Sequence, residues 1–352
     1  MADGYYTAWK AGLLTQALVR QGLVSRDSAM IGAPYQVPPG SRRRGVFSAV
    51  ATPDGCRLGF HEHRSHELVD LSACAVLRPR LVAALPFLRE IVGQVGRRDE
   101  TCRVTVLETD HGLDVCVDTE GGKRSRPAAS TAALARIAGD GNVLRLTVDG
   151  EPVLLRATPR ITISGVQLAP PPGAFVQATR EAEEAIAKFA VEAVSGRKAK
   201  QVADLFCGLG AFTFPLAQRS RVEGYDSEAP LVDALRDASR HAKGLKPVAA
   251  HVRDLFRDPL SPIELGRFDA VVFDPPRAGA KAQAEALAKS TVGTVVAVSC
   301  NPTTLARDLS ILVEGGYELQ SAVAIDQFLF TAHLEAVAVL TRPAPSKRPR
   351  RT

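Results

Sequence analysis

A ten-residue run at 299–308, SCNPTTLARD, carries the residue types best suited to chemistry in this chain. It follows the apolar, β-branched stretch 294–298, which predicts a buried strand. Asn301 has the chemistry of a helix N-cap and Pro302 suits a first helical turn, so a helix should begin there. Cys300 is therefore expected between a strand end and a helix start, where the pKa of a thiol is lowered. The alternative is a buried cysteine that behaves as a small hydrophobe.

A glycine-containing segment, DLFCGLGAF at 204–212, follows another predicted strand. Gly208 and Gly210 allow a tight turn and a close approach of the backbone to a ligand. The third glycine of the dinucleotide fingerprint is absent, so the segment does not imply a pyrophosphate. Asp226 ends the next strand, where a carboxylate can bind both hydroxyls of a ribose. Its alternative role is to cap the following helix.

Two further aspartates follow predicted strands. Asp254 is a candidate partner for an adenine amino group. Asp274 closes a very apolar strand, and the two prolines after it would hold its carboxylate at the strand tip. A purely structural turn is the alternative. Because ligands of open α/β sheets bind outside the carboxyl ends of the strands, a glycine loop, a ribose carboxylate and a strand-tip carboxylate in this order favour an S-adenosylmethionine site over a nicotinamide site.

A thiol beside a methyl donor indicates a particular reaction. The C5 atom of uracil or cytosine is a poor nucleophile, but addition of a thiolate at C6 makes C5 enolate-like, so that it can accept a methyl group. A base must then remove the C5 proton. The sequence at 331–336 alternates and predicts a strand with Thr331, His333 and Glu335 on one face. Glu335 is the candidate base; the alternative is a solvated carboxylate on an edge strand.

Strands and helices alternate from residue 173 onward, which predicts a doubly wound α/β fold. Strands are predicted at 202–206, 222–225, 247–250, 269–273 and 294–298, with two late strands in 316–326 and 334–341. Helices are predicted at 179–194, 212–218, 229–242, 280–288 and 303–313. The Pro-Pro-Pro-Gly segment at 170–173 sets a domain boundary, so we expect the catalytic domain at 173–342. The Pro- and Arg-rich tail, 343–352, is expected to be disordered.

The first half of the chain contains a helix, a linker and a second domain. An amphipathic helix is predicted at 5–23, with a linker to residue 40 and a mixed α/β module at 41–172. Within the module, strands are predicted at 46–50, 57–61, 102–107, 113–117 and 143–148, and helices at 79–92 and 128–138. The run Arg42–Arg44 is a candidate phosphate contact or else a solvated charge run. His61, His63 and His66 lack a completing carboxylate or cysteine, so we interpret them as strand-edge histidines and expect no metal.

Composition narrows the functional classes. The chain has 352 residues and a formal net charge of +6, a basic balance that suits an RNA partner. No apolar run is long enough to span a bilayer and no signal-peptide pattern begins the chain, so we expect a cytoplasmic protein without a membrane partner. The six cysteines form no CxxC pair, which argues against a disulfide framework and a self-contained zinc site. We expect a monomer.

These motifs together resemble the RNA 5-methyluridine methyltransferase family, class I S-adenosylmethionine-dependent enzymes that act on tRNA or rRNA. The matching stretches are FVQ at 175–177, 204–212, DPPRAG at 274–279, 299–308 and DQFLFTAHLE at 326–335, with a fainter match through 58–77. The resemblance implies Cys300 as nucleophile and Glu335 as proton acceptor. It implies that the cofactor contacts are Gln177, Phe206, Asp226 and Asp274. It also implies that the first helix packs on the catalytic domain and that the central module helps to hold RNA.

The chain departs from the family pattern at several positions. Ala211 stands where the family often has Asn, Asp226 where it has Glu, and Leu329 where it usually has Pro. Many members also carry an N-terminal RNA-binding barrel and a four-cysteine 4Fe-4S cluster. Only Cys74 matches a cluster ligand, since the other three would precede Met1. We therefore expect a shortened form, or a misplaced start, and no cluster in the chain as given.

Two other functions fit parts of the pattern. The first is an S-adenosylmethionine-dependent methyltransferase acting on an exocyclic amine, in which the segment 274–276 is used and Cys300 is inert. The second is an RNA-binding relative that has lost catalysis. Ala211 and the missing N-terminal segment favour this last possibility, whereas the presence of both Cys300 and Glu335 argues against it.

Overall fold

A computed structural model describes residues 3–343, except 54, 63–64, 66, 98–99 and 121–130. His63, His66 and most of the predicted tail therefore lie outside the described residues. The chain divides into two compact units. Residues 1–37 and 181–352 form the first, here called the terminal unit, and residues 38–180 form the second, the central unit.

The described residues contain the following elements, numbered in chain order. The strands are β1 Tyr35–Gln36, β2 Arg44–Thr52, β3 Gly55–His61, β4 Leu68–Asp70, β5 Thr101–Glu108, β6 Leu113–Thr119, β7 Val143–Val148, β8 Glu151–Leu155, β9 Ile161–Ile163, β10 Val166–Leu168, β11 Gln201–Leu205, β12 Arg221–Asp226, β13 Val248–Val252, β14 Ala270–Phe273, β15 Thr294–Ser299, β16 Glu318–Asp326 and β17 Glu335–Thr341. The helices are α1 Asp3–Arg20, α2 Pro79–Val95, α3 Thr131–Asp140, α4 Arg180–Gly196, α5 Thr213–Ala217, α6 Ala229–His241, α7 Pro262–Leu265, α8 Lys281–Ala288 and α9 Pro302–Glu314. Within these ranges, no helix combines the length and apolar character needed to cross a membrane.

The terminal unit is built on an eight-stranded sheet in the order β1-β16-β17-β15-β14-β11-β12-β13. Strands β11 to β15 run parallel, and β17 lies antiparallel between β15 and β16. The parallel strands β14 and β15 are buried along their whole length, which explains their continuous apolar sequences. The chain leaves β11 toward β12 on one side and returns to β14 on the other, so the predicted doubly wound α/β fold is confirmed.

The first helix belongs to the terminal unit. Leu14 and Leu18 of α1 are fully buried in the same apolar core as Leu305 and Leu309 of α9. The helix ends at Arg20, and Gly22 then adopts a left-handed φ of 68°. Glycine is the residue that takes this conformation at least cost, so Gly22 suits the chain reversal after the helix, which ends before the predicted residue 23.

The central unit is a seven-stranded sheet in the order β4-β3-β2-β5-β6-β7-β8, with a separate hairpin of β9 and β10. Helices α2 and α3 share one apolar core with this sheet. Its short or edge strands β4, β8, β9 and β10 were not predicted, because short segments carry little alternation and β8 contains Pro152.

The central unit runs to Arg180 in the structure, eight residues beyond the predicted boundary at residue 172. The segment after the prolines stays with this unit because its backbone pairs with the start of β2. Arg43 N–H donates to the Ala178 carbonyl at 2.9 Å, and Arg42 forms an isolated β-bridge with Thr179. Hydrogen bonds across the predicted boundary therefore outweigh the local signal of the proline run.

Candidate functional site

The sequence-predicted residues of the terminal unit gather at one edge of its sheet. Strands β11 to β15 are parallel, so their carboxyl ends lie on the same side. Asp226 is the last residue of β12, and Phe206, Asp254, Asp274 and Cys300 each follow one of the other ends within two residues. The topology thus brings together five positions that are distant in the chain.

Cys300 lies at the predicted junction between a strand and a helix. β15 ends at Ser299, and α9 begins at Pro302 with Asn301 as its N-cap. The Asn301 side chain accepts a hydrogen bond from Thr303 N–H at 3.0 Å, and the Ser299 hydroxyl oxygen accepts one from Asn301 N–H at 3.1 Å. The thiol is half-buried at this well-ordered turn.

The electrostatics of Cys300 differ from the prediction. Burial and, to a smaller extent, the negative charges of Glu335 and Asp274 together raise the pKa of the Cys300 thiol to about 11, whereas Arg277 acts in the opposite direction. The expected lowering of the pKa by the helix start is therefore wrong for the protein without ligands. Partial burial beside two carboxylates outweighs the favourable helix terminus.

The second half of the 299–308 run holds the loop that follows Asp274. Thr304 donates to the Arg277 carbonyl at 3.2 Å, and Arg307 donates to the Ala278 carbonyl at 3.0 Å. Buried Asp308 accepts from Ala280 N–H at 2.7 Å. Sequence reasoning did not find these positioning contacts, because nothing local in the run shows which loop its polar side chains bind.

Gly279 explains why this loop approaches α9 so closely. Its φ is 78°, and a Cβ atom built there would lie 2.5 Å from Arg307 Nη2 and 2.7 Å from Asp308 Oδ2. A side chain at this position would be strained and would also displace two hydrogen-bonding groups. The loop and the helix thus depend on each other for the placement of Asp274 and Cys300.

Glu335 is the first residue of β17 and is paired with Ile325 of β16. It is only 3% exposed, and one carboxylate oxygen accepts a hydrogen bond from Gln327 Nε2 at 2.9 Å. Burial raises the pKa of Glu335 well above its ordinary value, and the negative charge of Asp274 adds to this effect. A buried carboxylate with a raised pKa is a stronger base once it is ionised.

The predicted strand at 331–336 is wrong over its first four residues. Residues 327–334 form a loop, and Thr331 and His333 are exposed while Glu335 is buried. The three side chains therefore do not share a strand face. The alternative of a solvated edge carboxylate is wrong as well, because β17 lies inside the sheet.

The glycine segment forms a turn beside Asp226. Gly208 and Gly210 have φ values of 51° and 91°. Gly208 N–H donates to Asp226 Oδ2 at 2.9 Å, and Asp226 Oδ1 accepts from Glu228 N–H at 2.9 Å. The N-cap of α6 is Glu228, so Asp226 connects the glycine turn to the start of that helix without capping it. Open space next to Gly208 leaves room for a ligand, since a Cβ atom there would meet nothing within 4 Å.

Two phenylalanines form an aromatic wall near Asp254. The rings of Phe206 and Phe256 are 5.4 Å apart between centroids, and Phe256 is 49% exposed. Phe206 adopts a left-handed φ of 62°, which is uncommon for a side chain of this size. Asp254 accepts from Phe256 N–H at 3.0 Å and so orders this turn. Phe256 is a site residue that sequence reasoning missed, because a single aromatic residue in a loop carries no pattern.

Asp204 is a second residue that was missed. It is fully buried at the end of β11, and its Oδ2 accepts from the Thr213 hydroxyl at 2.5 Å. Burial, with a smaller contribution from the charges of Asp274 and Asp226, raises the pKa of Asp204 to about 7. Its Oδ1 has no hydrogen-bond partner in the part of the chain that the structure describes. Buried carboxylates of this kind are typical of functional sites.

The charges at the sheet edge indicate the kind of ligand that fits. Asp204, Asp226, Asp254 and Asp274 place four carboxylates around the glycine turn and the aromatic wall. Such a set favours a cationic ligand with hydroxyl groups and disfavours a pyrophosphate, which would meet like charges. The donor set thus fits S-adenosylmethionine, which carries a sulfonium and an ammonium group.

The remaining predicted residues lie in the central unit. Gln177 is 5% exposed, and its backbone carbonyl accepts from Arg43 Nε at 3.2 Å. Arg43 is itself 2% exposed, so it is not the phosphate contact that was predicted. Its guanidinium instead holds the backbone of Gln177, in the segment before α4, through this hydrogen bond. A role for Gln177 toward the cofactor stays a prediction.

Two observations concern the side chains that could bind a metal ion. Cys74 is a free, half-buried cysteine. Among the described residues, no group of three or more His, Cys, Asp or Glu side chains is arranged to hold a metal ion. The expectation about an iron–sulfur cluster stays a prediction. His61 lies at the end of β3 and is exposed, as expected for a strand-edge histidine.

Comparison with known proteins supports the interpretation of these motifs as those of an RNA 5-methyluridine methyltransferase family. A family model described as tRNA (Uracil-5-)-methyltransferase matches residues 166–343. An uncharacterized RNA methyltransferase of Rhizobium meliloti (strain 1021) is 45% identical over 97% of this chain and 80% of its own length. A 23S rRNA (uracil(1939)-C(5))-methyltransferase, RlmD, of Chromohalobacter salexigens is 32% identical over 96% of this chain and 72% of its own length.

A solved structure has the same fold over nearly the whole chain. The tRNA (uracil-54, C5)-methyltransferase of Pyrococcus abyssi, in complex with S-adenosyl-L-homocysteine, superposes with a TM-score of 0.73. The match covers 96% of this chain and 83% of that chain, at 23% sequence identity. At this identity the similarity establishes the fold alone.

Proposed function

The chain belongs to the tRNA (uracil-5-)-methyltransferase family, and from this premise we propose that it transfers a methyl group from S-adenosylmethionine to C5 of a uridine in RNA. The observation that carries the proposal is the cluster at the sheet edge. There the half-buried thiol of Cys300 lies within the electrostatic influence of Glu335 and Asp274. A nucleophile and a buried base beside a carboxylate-rich sheet edge are the groups that methylation of C5 requires.

The cofactor fits the aspartate-rich end of the sheet. Asp226 offers a half-exposed carboxylate for ribose hydroxyls, and the rings of Phe206 and Phe256 offer an apolar surface for the adenine. Asp274 supplies negative charge for the cationic part, and its charge acts on the buried Asp204 behind it. S-adenosylmethionine, when bound, supplies an electrophilic methyl group.

Cys300 and Glu335 then carry out different steps of the reaction. Cys300 Sγ forms a bond with C6 of the uracil, and the electron pair displaced from the C5–C6 double bond makes C5 nucleophilic. Because burial and the neighbouring carboxylates raise the pKa of Cys300 in the free protein, the thiol releases its proton to water as the sulfur adds. Once C5 carries the methyl group, Glu335 in its ionised form removes the C5 proton and becomes protonated. The double bond re-forms, and the Cys300 thiolate leaves C6.

The proposed substrate is a uridine in ribosomal RNA. A relative named for 23S rRNA aligns with 96% of the chain, which supports rRNA as the first RNA to test. The net charge of +6 is consistent with a partner rich in phosphates. Recognition of an unpaired base would follow the general behaviour of RNA-modifying enzymes, which take the target base out of its stack.

The direct test measures the product. Total RNA from a strain lacking this gene is separated into tRNA and rRNA, incubated with S-adenosylmethionine and either wild type or Cys300→Ala, and digested to nucleosides for mass spectrometry. We expect 5-methyluridine in the rRNA fraction with wild type only. Product in the tRNA fraction alone would contradict the proposed substrate. Equal product from both proteins would remove Cys300 from the mechanism.

A further inference from the structure

The loop before Glu335 is held by the N-terminal helix. Lys10 of α1 is 1% exposed, and its Nζ donates to the carbonyls of Phe328 at 3.0 Å and His333 at 2.7 Å. The same ammonium forms an ion pair with Asp326 Oδ1 at 2.6 Å. One buried ammonium thus joins the end of β16 to both ends of the 327–334 loop.

A second side chain of α1 contacts the same loop. The Tyr6 hydroxyl donates to Asp326 Oδ2 at 2.6 Å and accepts from Phe330 N–H at 2.9 Å. Burial raises the pKa of Tyr6 to about 12, so the hydroxyl keeps its proton near neutral pH and continues to donate. Tyr6 and Lys10 together contact the loop at its start, its middle and its end.

These contacts adjoin the candidate base. Gln327 follows Asp326 directly and donates to the Glu335 carboxylate, and Leu334 is buried immediately before Glu335. A shift of the loop would therefore move both the hydrogen-bond donor of Glu335 and the backbone that leads into it. A buried ion pair contributes little net stability compared with apolar packing, so its presence here favours a role in fixing one conformation.

We propose that Tyr6 and Lys10 are positioning residues for Glu335, which fix the 327–334 loop so that the carboxylate reaches the C5 proton after methyl transfer. This inference rests on the proposed function. It predicts a specific kinetic defect: formation of the Cys300–C6 bond and transfer of the methyl group continue, but removal of the C5 proton and release of Cys300 slow down. Methylated RNA then stays attached to the protein.

The test separates methyl transfer from proton removal. RNA transcribed with 5-tritiated uridine is incubated, in single turnover, with methyl-labelled S-adenosylmethionine and wild type, Tyr6→Phe or Lys10→Met. Tritium release reports proton removal, methyl incorporation reports transfer, and a denaturing gel reports the covalent complex. We expect the ratio of tritium release to methyl incorporation to fall about 10- to 100-fold in both variants, with accumulation of the complex.

A matched control removes packing from the same helix without touching the loop's hydrogen bonds. Leu18→Ala creates a cavity beside fully buried side chains and lowers stability, but we expect it to keep the wild-type ratio. If Tyr6→Phe and Lys10→Met lower both labels equally, their role is structural and the inference is wrong. If Lys10→Met fails to fold, Tyr6→Phe alone decides, since it removes a single hydroxyl.

Glu335→Gln separates the inference from the proposed function. If this variant accumulates the methylated complex and the two helix variants do not, only the positioning role fails. If wild type is active but Glu335→Gln releases tritium normally, Glu335 is not the base. In that case the proposed mechanism and the positioning role fail together.

Discussion

The two candidate catalytic residues of this protein are held in place in opposite ways. The turn at Cys300 itself is held by contacts between neighbouring residues, those of Ser299 and Thr303 with Asn301, while Thr304 and Arg307 hold the adjoining loop after Asp274. The loop that leads to Glu335 is held by a helix far away in the chain. Tyr6 and Asp326, which share a 2.6 Å hydrogen bond, are 320 positions apart.

This difference has physical consequences. A strand that runs into a capped helix keeps its turn whenever the sheet forms, because the groups that satisfy its backbone lie within a few residues. In the 327–334 loop, by contrast, the Phe330 N–H and the His333 carbonyl have their hydrogen-bond partners on α1. Proton removal should therefore be more sensitive than thiol addition to changes at the N-terminal helix. Substitutions at α1 and at the Cys300 junction test these two kinds of support separately.

The largest effect on stability is expected at Lys10. Lys10→Met leaves the Asp326 carboxylate buried without its ammonium, which should lower the free energy of unfolding by about 3–5 kcal/mol. Urea unfolding followed by the fluorescence of Trp9, the only tryptophan, measures this at α1 itself.

Two controls accompany this prediction. Adding Asp326→Asn to Lys10→Met should recover part of the loss, since no unpaired charge then remains. Lys281→Met removes an exposed lysine that pairs with Glu285 and should cost at most about 1 kcal/mol. A cost for Lys10→Met no greater than that of Lys281→Met would show that the buried pair does not hold the loop.

A smaller effect is expected in the junction region. Gly279→Ala adds a Cβ atom against Arg307 and Asp308 at a left-handed φ of 78°, and we expect a loss of about 2–3 kcal/mol. Gly244 also has a left-handed φ, 76°, but with open space around it, so Gly244→Ala should cost only about 1 kcal/mol. Urea unfolding of the pair measures the difference. Equal losses would mean that close approach to α9 adds nothing to backbone strain.

The pH dependence of stability tests the burial of Glu335. Because its folded-state pKa is raised, the group favours folding below its unfolded pKa, near 4.3, and this contribution is lost as the pH rises through the folded pKa. Glu335→Gln removes the titration. We expect its Tm to exceed that of wild type by about 2 °C at pH 8 and by less at pH 5. A gain that is the same at both pH values would contradict the burial argument.

The smallest effect concerns the reactivity of Cys300. Since the thiolate is the reactive form, alkylation by iodoacetamide should accelerate as the pH rises toward the raised pKa of about 11. At pH 8, Asp274→Asn should speed the reaction severalfold and Arg277→Gln should slow it, as followed by peptide mass spectrometry. Cys56, whose charged neighbours are Arg89 and Asp70, serves as an internal standard. Unchanged Cys300 rates would show that neither charge acts on the thiol.

The difference between local contacts at Cys300 and distant contacts at Glu335 also explains which features could be predicted from the sequence. The bounds of the parallel strands and of α9 follow from apolar runs and from a helix cap, so the sheet and the position of Cys300 were predictable. The pKa of Cys300 was not, because it depends on carboxylates from β14 and β17 that only the fold brings near.

The surroundings of Glu335 were predicted least well. The alternation at 331–336 is real in the sequence, but Lys10 holds the carbonyls of Phe328 and His333, and the segment between them is a loop. Asp204 and Phe256 were missed for a similar reason. Their importance comes from burial and from a neighbouring ring, and neither can be read from local pattern.

In the proposed mechanism, Cys300 bonds to the substrate base and Glu335 permits its release. Mass spectrometry of the covalent RNA–protein complex formed with S-adenosylmethionine by wild type, Glu335→Gln and the double variant Cys300→Ala/Glu335→Gln tests both roles together. We expect Glu335→Gln to accumulate a complex in which a methylated nucleotide is attached to Cys300. We expect no complex with the double variant. A complex that persists without Cys300, or a linkage mapped to another residue, would show that Cys300 is not the nucleophile.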